Sequence, residues 1–406
     1  MRRIAQLLLV VFAFATPWEF VLELGEPFGP IARIAGILLL LAAVPAILQA
    51  GRIRSPGVMQ WVVLALYLWF CCSCVWTIDE AATLEKLRAY FQEMMIVWLV
   101  WEFADGTRNL RMLFKAYVAG AWVLAAVTLA NFASPEAIAS GQIRFFAEGL
   151  DPNDTARFLD LGFPMAALLV DADSSRLGRL LALGYFPAGA LAVLLTASRG
   201  GFIAAVLALA GSAVLLARRS PRRVLAGALA LPAFAAALWL IVPYDTLQRL
   251  ATISEQLEGG NLNERVNIWE LGWHAFAQAP LLGTGAGSFV AAARLSPIDT
   301  AHNTALSIIV GGGLCALLLA AAVLALAVRS VLTMRGPLLL AMGTALLVWM
   351  VTTLTAAVEE NRSTWLLFAL IALAGRLAAE EPEALAACFP ADARPPAFKF
   401  AVEPLP

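Results

Sequence analysis

The chain has 406 residues, 61% of them hydrophobic and only 14% charged, and its 28 Lys and Arg nearly balance 29 Asp and Glu for a net charge of −1. A soluble globular chain carries about 25% charged and about 45–50% apolar residues. The composition therefore argues against a soluble enzyme, a disordered chain, a disulfide-stapled secreted domain and a nucleic-acid binder, and for a protein solvated mostly by lipid.

A helix needs ~20 mostly apolar residues to cross the hydrocarbon layer, and it satisfies its own backbone hydrogen bonds without water. In chain order the apolar runs are 4–24, 31–50, 58–76, 87–103, 112–132, 156–170, 180–197, 200–217, 224–242, 304–328, 336–358 and 363–375. The fold class read from them is all-α: a polytopic membrane protein of about 12 transmembrane helices with a large periplasmic loop containing interfacial helices. Nine helices fall in residues 1–243, the large outer loop in 244–303, three more helices in 304–376, and a Pro- and Ala-rich cytoplasmic tail in 377–406. The first run holds Pro17, Glu19 and Glu23 and lacks a small-residue cleavage pattern, so it reads as a span and not as a cleaved signal peptide.

Lys and Arg accumulate on the cytoplasmic side of short loops. With the N-terminus inside, the outer side keeps Arg33, Lys86, Arg88, Arg144, Arg157, Arg199, Arg249, Arg265, Arg294 and Arg362, and the remaining 18 of 28 lie inside. Acidic residues lean the other way, about 20 of 29 outside. The inner side has no folded domain, which puts any chemistry on the outer face.

The long outer loop holds both histidines of the chain, His274 and His302. In its middle, Val266, Trp269, Trp273 and Phe276 recur at three- and four-residue spacing, one face of an amphipathic helix lying at the membrane interface and stopping at Pro280. A glycine-rich stretch, Gly283-Thr284-Gly285-Ala286-Gly287-Ser288-Phe289, follows. It lacks the Lys-Ser/Thr ending of a P-loop and the G-x-G-x-x-G spacing, and reads as a tight turn between helices. His302-Asn303 stands immediately before the tenth span, where a group with an unperturbed pKa near 6.5 can accept a proton at neutral pH. His274, on the polar flank of the helix, reads as structural.

Arg199, in Thr196-Ala197-Ser198-Arg199-Gly200-Gly201, sits in a short hairpin between two apolar spans on the side depleted of positive charge. A cation half-buried there is costly and calls for a partner. Arg265 in the long loop, Arg88, Arg144 and Asn153 are further outward-facing candidates. Guanidinium forks bind phosphate in bidentate fashion and stay charged, so a few of them can neutralise a pyrophosphate without a metal. Asp171-Ala172-Asp173 has the spacing of a metal-binding D-x-D, but it lies on the inner side with no nucleotide-binding domain around it. The five cysteines have no metal-ligand spacing with His. No metal and no cofactor is expected.

These residues resemble the O-antigen ligase family, within the wider O-antigen ligase and polymerase superfamily. The matching pieces are Asp151-Pro152-Asn153, Ser198-Arg199-Gly200-Gly201, Arg265 with Trp269, Pro280 through Phe289, and His302-Asn303 followed by Gly311-Gly312-Gly313-Leu314. The resemblance implies an inverting glycosyl transfer at the periplasmic face of the bacterial inner membrane. The donor would be a glycan on undecaprenyl pyrophosphate, and the acceptor a sugar hydroxyl of lipid A–core. By motif, Arg199 and Arg265 would hold the pyrophosphate and His302 would act as base or orient the acceptor. Arg88, Arg144, Asn153 and Asn303 would contact substrate. The expected partners are these two substrates and membrane lipids, with no nucleic acid. A chain polymerase using the same donor twice, a glycoprotein oligosaccharyltransferase and a glycan transporter are the alternatives. The last predicts ionisable residues near mid-membrane, with Glu93 and Asp160 as its candidates.

Overall fold

A computed structural model describes residues 1–25, 29–173, 175–258, 264–297 and 299–390. Among them the chain is helical, with no strand beyond one bridge between Glu23 and Pro30. The helices are α1 (Arg2–Ala15), α2 (Ile31–Ala50), α3 (Val58–Cys72), α4 (Glu80–Phe103), α5 (Gly106–Phe132), α6 (Pro135–Ala139), α7 (Pro152–Ala172), α8 (Arg176–Leu195) and α9 (Arg199–Arg219). They continue as α10 (Pro221–Ile241), α11 (Tyr244–Ala251), α12 (Ile253–Glu258), α13 (Arg265–Gln278), α14 (Phe289–Ala292), α15 (Thr304–Thr333), α16 (Gly336–Thr353), α17 (Arg362–Glu380) and α18 (Pro382–Cys388).

Each of the twelve apolar runs overlaps one long helix. Eight of these helices are individually long and apolar enough to cross a membrane: α2, α3 with its one-turn extension to Val75, α5, α8, α9, α15, α16 and α17. The rest fall short for visible reasons. α1 has 14 residues. α4 carries Glu93 and Glu102, and α7 carries Arg157 and Asp160. α10 bends by 113° into the helical stretch that begins at Tyr244, and the pair counts as a ninth span at most.

Burial sorts the helices into an inside and an outside. α7 and α17 are buried on nearly every face, α7 among α5, α8, α9 and α16, and α17 between α4 and α15. α10 leans on α9 and is exposed along most of its length, as lipid-facing helices are. Close approach is built from small residues, as in other membrane bundles. A Cβ at Gly201 would come within 2.3 Å of Ala156 Cβ, so the start of α9 lies directly against α7. The glycines beside Arg199 therefore serve helix packing. At the end of the bundle away from the α7 and α9 starts, α17 continues to Glu380, and α18 turns back to bury Leu385 and Phe389, whose ring centroid lies 6.0 Å from that of Phe114. Asp171 and Asp173 of the D-x-D are held there by Arg219 at 3.5 Å and Lys115 at 2.8 Å. Arg394 and Lys399 of the predicted inner side, and Asn263 of the outer loop, lie outside the described residues.

The outer segment between α10 and α15 is a set of short helices fastened to the bundle. α13 presses Ile268, Gly272 and Ala275 onto α15, forming a small core with Phe289, Leu306, Ile309 and Val310. This corrects the face read from the sequence. Trp273 is 57% exposed, Trp269 and Phe276 are only flanking, and the face that is covered is the one with a glycine and an alanine, because α13 rests on another helix. The glycine-rich turn is equally occupied. Thr284 N donates to Val310 O at 2.8 Å, Gly285 N to Gly311 O at 2.9 Å, and Ala286 N to Ser73 Oγ at 3.0 Å. These amides serve packing and leave no phosphate cradle. They meet α15 where Gly313 takes φ 67° and kinks it, a conformation that L side chains disfavour.

Candidate functional site

Four helices begin at one place at one end of the bundle. α7 starts at the cap Asp151, α9 at Ser198, α13 at Glu264 and α15 at Asn303, and each of these caps precedes or overlaps a candidate residue. Hydrogen bonds tie the first two together: Asn153 Nδ2 donates to Asp151 Oδ1 at 2.7 Å, and Ser198 Oγ donates to Asn153 Oδ1 at 2.7 Å. Asn153 thereby fixes the turn that carries Arg199, the first residue of α9. Arg265 is the first residue of α13. Helix N-termini carry partial positive charge and unpaired amides, so this convergence favours an anion before any side chain is counted.

The side chains add to it. α11 lies across the α8–α9 turn, with Thr246 Oγ1 donating to Ile143 O at 2.8 Å and Arg249 Nε to Ala197 O at 3.3 Å. Arg199 answers with Nε to Arg249 O at 3.2 Å and Nη2 to Thr252 Oγ1 at 2.7 Å. Arg144 Nε donates to Thr196 O at 3.1 Å on the same turn. Arg144, Arg199, Arg249 and Arg265 are all half-buried. Burial, and after it the charge of Arg249, with Arg265 and Arg199 adding to it against Asp151, pushes Arg144 down to about 10. Arg265 is likewise lowered, by burial first, with Asp151 opposing and Arg199 and Arg249 adding. Asp151 and Glu255 only partly offset this crowding of like charges, and an anion among the guanidiniums would be favoured.

His302 stands at the edge of the cluster, half-buried, with Nδ1 3.3 Å from Thr300 Oγ1. Its pKa lies below the ordinary 6.5 because burial and then Arg265 disfavour the imidazolium, against the weaker pull of Asp151 and Asp299. Burial and Arg265 favour the neutral ring, and in the tautomer whose Nδ1–H donates to Thr300 Oγ1, Nε2 is the nitrogen that can accept a proton. Three of the four non-glycine residues with positive φ among those described sit at this site: Ala197 at 48°, Glu264 at 64° and His302 at 46°. Such angles cost on the order of 1 kcal/mol each and cluster where function requires them.

Of the residues read from the sequence, the structure brings together Arg144, Asn153, Arg199, Arg265 and His302. Arg88 is not with them. It is exposed on α4, while its helical neighbour Lys86 turns inward to pair with Glu360. Asn303 acts as a cap, its Oδ1 accepting from Leu306 N at 2.9 Å. His274 is exposed on α13. Two members were missed. Asp151 is the carboxylate in reach of Arg144, Arg265 and His302, and Arg249 supplies a fourth guanidinium. A signal for Arg249 was present in the short amphipathic stretch Tyr244–Ala251, whose Thr246 and Leu250 are buried one turn apart on either side of it.

On the other side of His302 lies a hollow of about 370 Å³, between α4, the segment after the glycine turn and the start of α15. Its polar lining includes Glu85, Lys86, Asp299, Thr300, Ser307 and Glu360.

Comparison with known proteins adds one match. The family model described as O-antigen ligase fits residues 184–321, from the middle of α8 into α15, and so spans Arg199, Arg249, Arg265 and His302 but not Arg144, Asp151 or Asn153. No curated protein matches the chain at a significant level. Over residues 184–321 the chain is similar to the O-antigen ligase family.

Proposed function

We propose that the protein is a lipid-linked glycan transferase, specifically an O-antigen ligase working at the periplasmic face of the bacterial inner membrane. The donor is a glycan on undecaprenyl pyrophosphate and the acceptor a sugar hydroxyl of lipid A–core. One observation carries the reading: four half-buried guanidiniums and four helix N-termini converge beside a histidine whose pKa is lowered, with Asp151 and Glu255 the carboxylates that act on them.

The chemistry follows from the inventory of groups. A guanidinium has five donors and no acceptor, which suits an ionised diphosphate and nothing that must itself donate. The acceptor oxygen attacks the anomeric carbon, the bond from that carbon to the pyrophosphate oxygen breaks, and the hydroxyl proton passes to His302 Nε2. The negative charge growing on the leaving diphosphate is taken up by Arg144, Arg199, Arg249 and Arg265. A single displacement of this kind inverts the anomeric centre. The activated bond arrives on the lipid, so no nucleotide is needed outside the cell.

Reconstitution with purified lipid-linked donor and lipid A–core, read on a gel, tests the reading. Transfer to lipid A–core is the expected outcome. A ladder growing on the lipid-linked donor without acceptor would instead establish the polymerase, which family membership alone leaves open. The transporter reading has less support. Of its two candidates, Glu93 lies near Arg362, which bonds Glu19 and also Gln92 on α4, while Asp160 is fully buried in α7 with neither oxygen in a hydrogen bond. The Arg362 contacts tie the turn after α1 to α4 and α17, which accounts for Glu93 as a structural group.

A further inference from the structure

His302 divides two surfaces of opposite hydrogen-bonding character. On the α7–α9–α13 side four guanidiniums, donors only, stand together, with Asp151 and Glu255 the carboxylates that act on them. The hollow on the α4 side reverses this. Glu85, Asp299 and Glu360 offer carboxylates, which only accept, Ser307 and Thr300 offer hydroxyls, and Lys86 is already engaged by Glu360. Its apolar floor includes Tyr90 and Phe70, whose ring centroids are 5.0 Å apart. Behind those two rings a second hollow holds Glu359, which is 4% exposed and has neither carboxylate oxygen in a hydrogen bond of ordinary geometry, though the Ser307 hydroxyl lies near enough to stabilise its ionised form. Thr300 belongs to the first hollow and also contacts His302 Nδ1, so a molecule in the hollow is one residue from the base.

We propose that this α4-side hollow is the subsite for the acceptor's sugar, and that it takes a ring rich in free hydroxyls and without phosphate at the accepting end. The inference rests on the ligase reading and deepens it. Hydroxyl groups of a sugar donate to Glu85, Asp299 and Glu360, while the carbon face of the ring covers the aromatic floor. A phosphate in the same place meets three carboxylates and one cation that is already paired, and it is repelled. The two substrates are thus sorted by charge before they react: the diphosphate is held by the arginines, the hydroxyl sugar by the carboxylates, and His302 takes the acceptor proton at their boundary.

The test is equilibrium binding to the full-length protein in nanodiscs, with two probes. One is fluorescently labelled, deacylated core oligosaccharide of lipopolysaccharide, with and without phosphatase treatment. The other is undecaprenyl pyrophosphate. Ala89→Trp, which fills the hollow from α4, is expected to weaken the dephosphorylated oligosaccharide by about tenfold or more while leaving undecaprenyl pyrophosphate within about twofold. Glu85→Gln combined with Asp299→Asn is expected to narrow the preference for dephosphorylated over phosphorylated probe. Unchanged oligosaccharide binding in a folded Ala89→Trp protein, or equal weakening of both ligands, overturns the assignment. Should Ala89→Trp not insert, Glu85→Gln and Ser307→Ala decide in the same way, since neither residue is in the core. Transfer by the wild type is scored separately. Oligosaccharide binding that Ala89→Trp removes, with no transfer to lipid A–core, defeats the ligase and keeps the subsite, whereas normal transfer with binding that Ala89→Trp does not touch defeats the subsite alone.

Discussion

Three residues in left-handed backbone conformations hold the side chains that matter: Ala197 two positions before Arg199, Glu264 one before Arg265, and His302 itself. Ala197 and Glu264 turn the chain just before the helix starts that carry Arg199 and Arg265, and His302 lies two residues before α15. Arg199 and Arg265 are expected to be intolerant of change for a geometric reason as well as a charge one. Replacing either with Ala should reduce transfer by about 100-fold or more, and Lys should rescue only a minor part, because a point charge cannot grip two phosphate oxygens in a fork. Initial rates with lipid-linked donor, compared at equal membrane content, check this. His302→Ala should lower turnover more than donor affinity, measured by single-turnover kinetics beside donor binding. The pH dependence has a definite sign. Burial and Arg265 hold the His302 pKa below 6.5, so the base form persists below that pH and the acidic limb of the rate profile falls under 6.5. Arg265→Gln removes a positive neighbour, and whatever activity it retains should show that limb moved upward. The arginines could be read from the chain because a cation on the positive-depleted side must be explained. Asp151 could not, since a carboxylate capping a helix is ordinary until folding sets it beside two guanidiniums and a histidine from other segments.

Among the elements, α15 and the glycine-rich turn explain why the outer loop is placed so definitely. The turn's amides occupy carbonyls that the kink at Gly313 leaves open, and Trp69 Nε1 takes a further one, Gly312 O, at 2.7 Å. Gly313→Ala puts a Cβ 2.2 Å from Leu281 O at a positive φ. It should destabilise the protein by about 2 kcal/mol or more and lower its unfolding temperature in detergent, whereas Gly227→Ala on the exposed α10, with nothing within 4 Å, should leave that temperature unchanged or raise it. Asn153→Ala should loosen the α9 turn through Ser198 and raise the donor KM severalfold without unfolding the bundle. The helices themselves were plainly legible, since uninterrupted apolar runs leave few alternatives to a helix in lipid. The face of α13 was not. Period alone marks where large apolar residues recur, and it misses that contact between two helices selects Gly272 and Ala275 and leaves the large rings on the flank.

For the molecule as a whole, the distribution of Lys and Arg sets an orientation that labelling can check. Single cysteines at Glu255 and Glu270, in a background without the five native ones, should react with a membrane-impermeant maleimide in intact spheroplasts. A cysteine at Glu383 on α18 should react only after permeabilisation. The opposite pattern would invert the protein and remove its link to a periplasmic acceptor. The number of crossings is the part that sequence and structure share least. Twelve runs became twelve helices, yet α4 and α7 are charged and buried among neighbours, so hydropathy cannot count them. Their charges are what the site stands on: the cap of α7 meets the arginines and the outer turn of α4 lines the adjoining hollow.

The bend in α15 also has a bearing on biogenesis. Val310, Gly311 and Gly312 expose carbonyl groups that find their partners only in the glycine turn and in a tryptophan of α3. A nascent α15 released into lipid before that turn has docked would have to straighten to satisfy them. Assembly of the outer loop and bending of this helix are consequently one event, and a chain cut within the loop, even if every hydrophobic segment inserted, should mature into a bundle without a working centre.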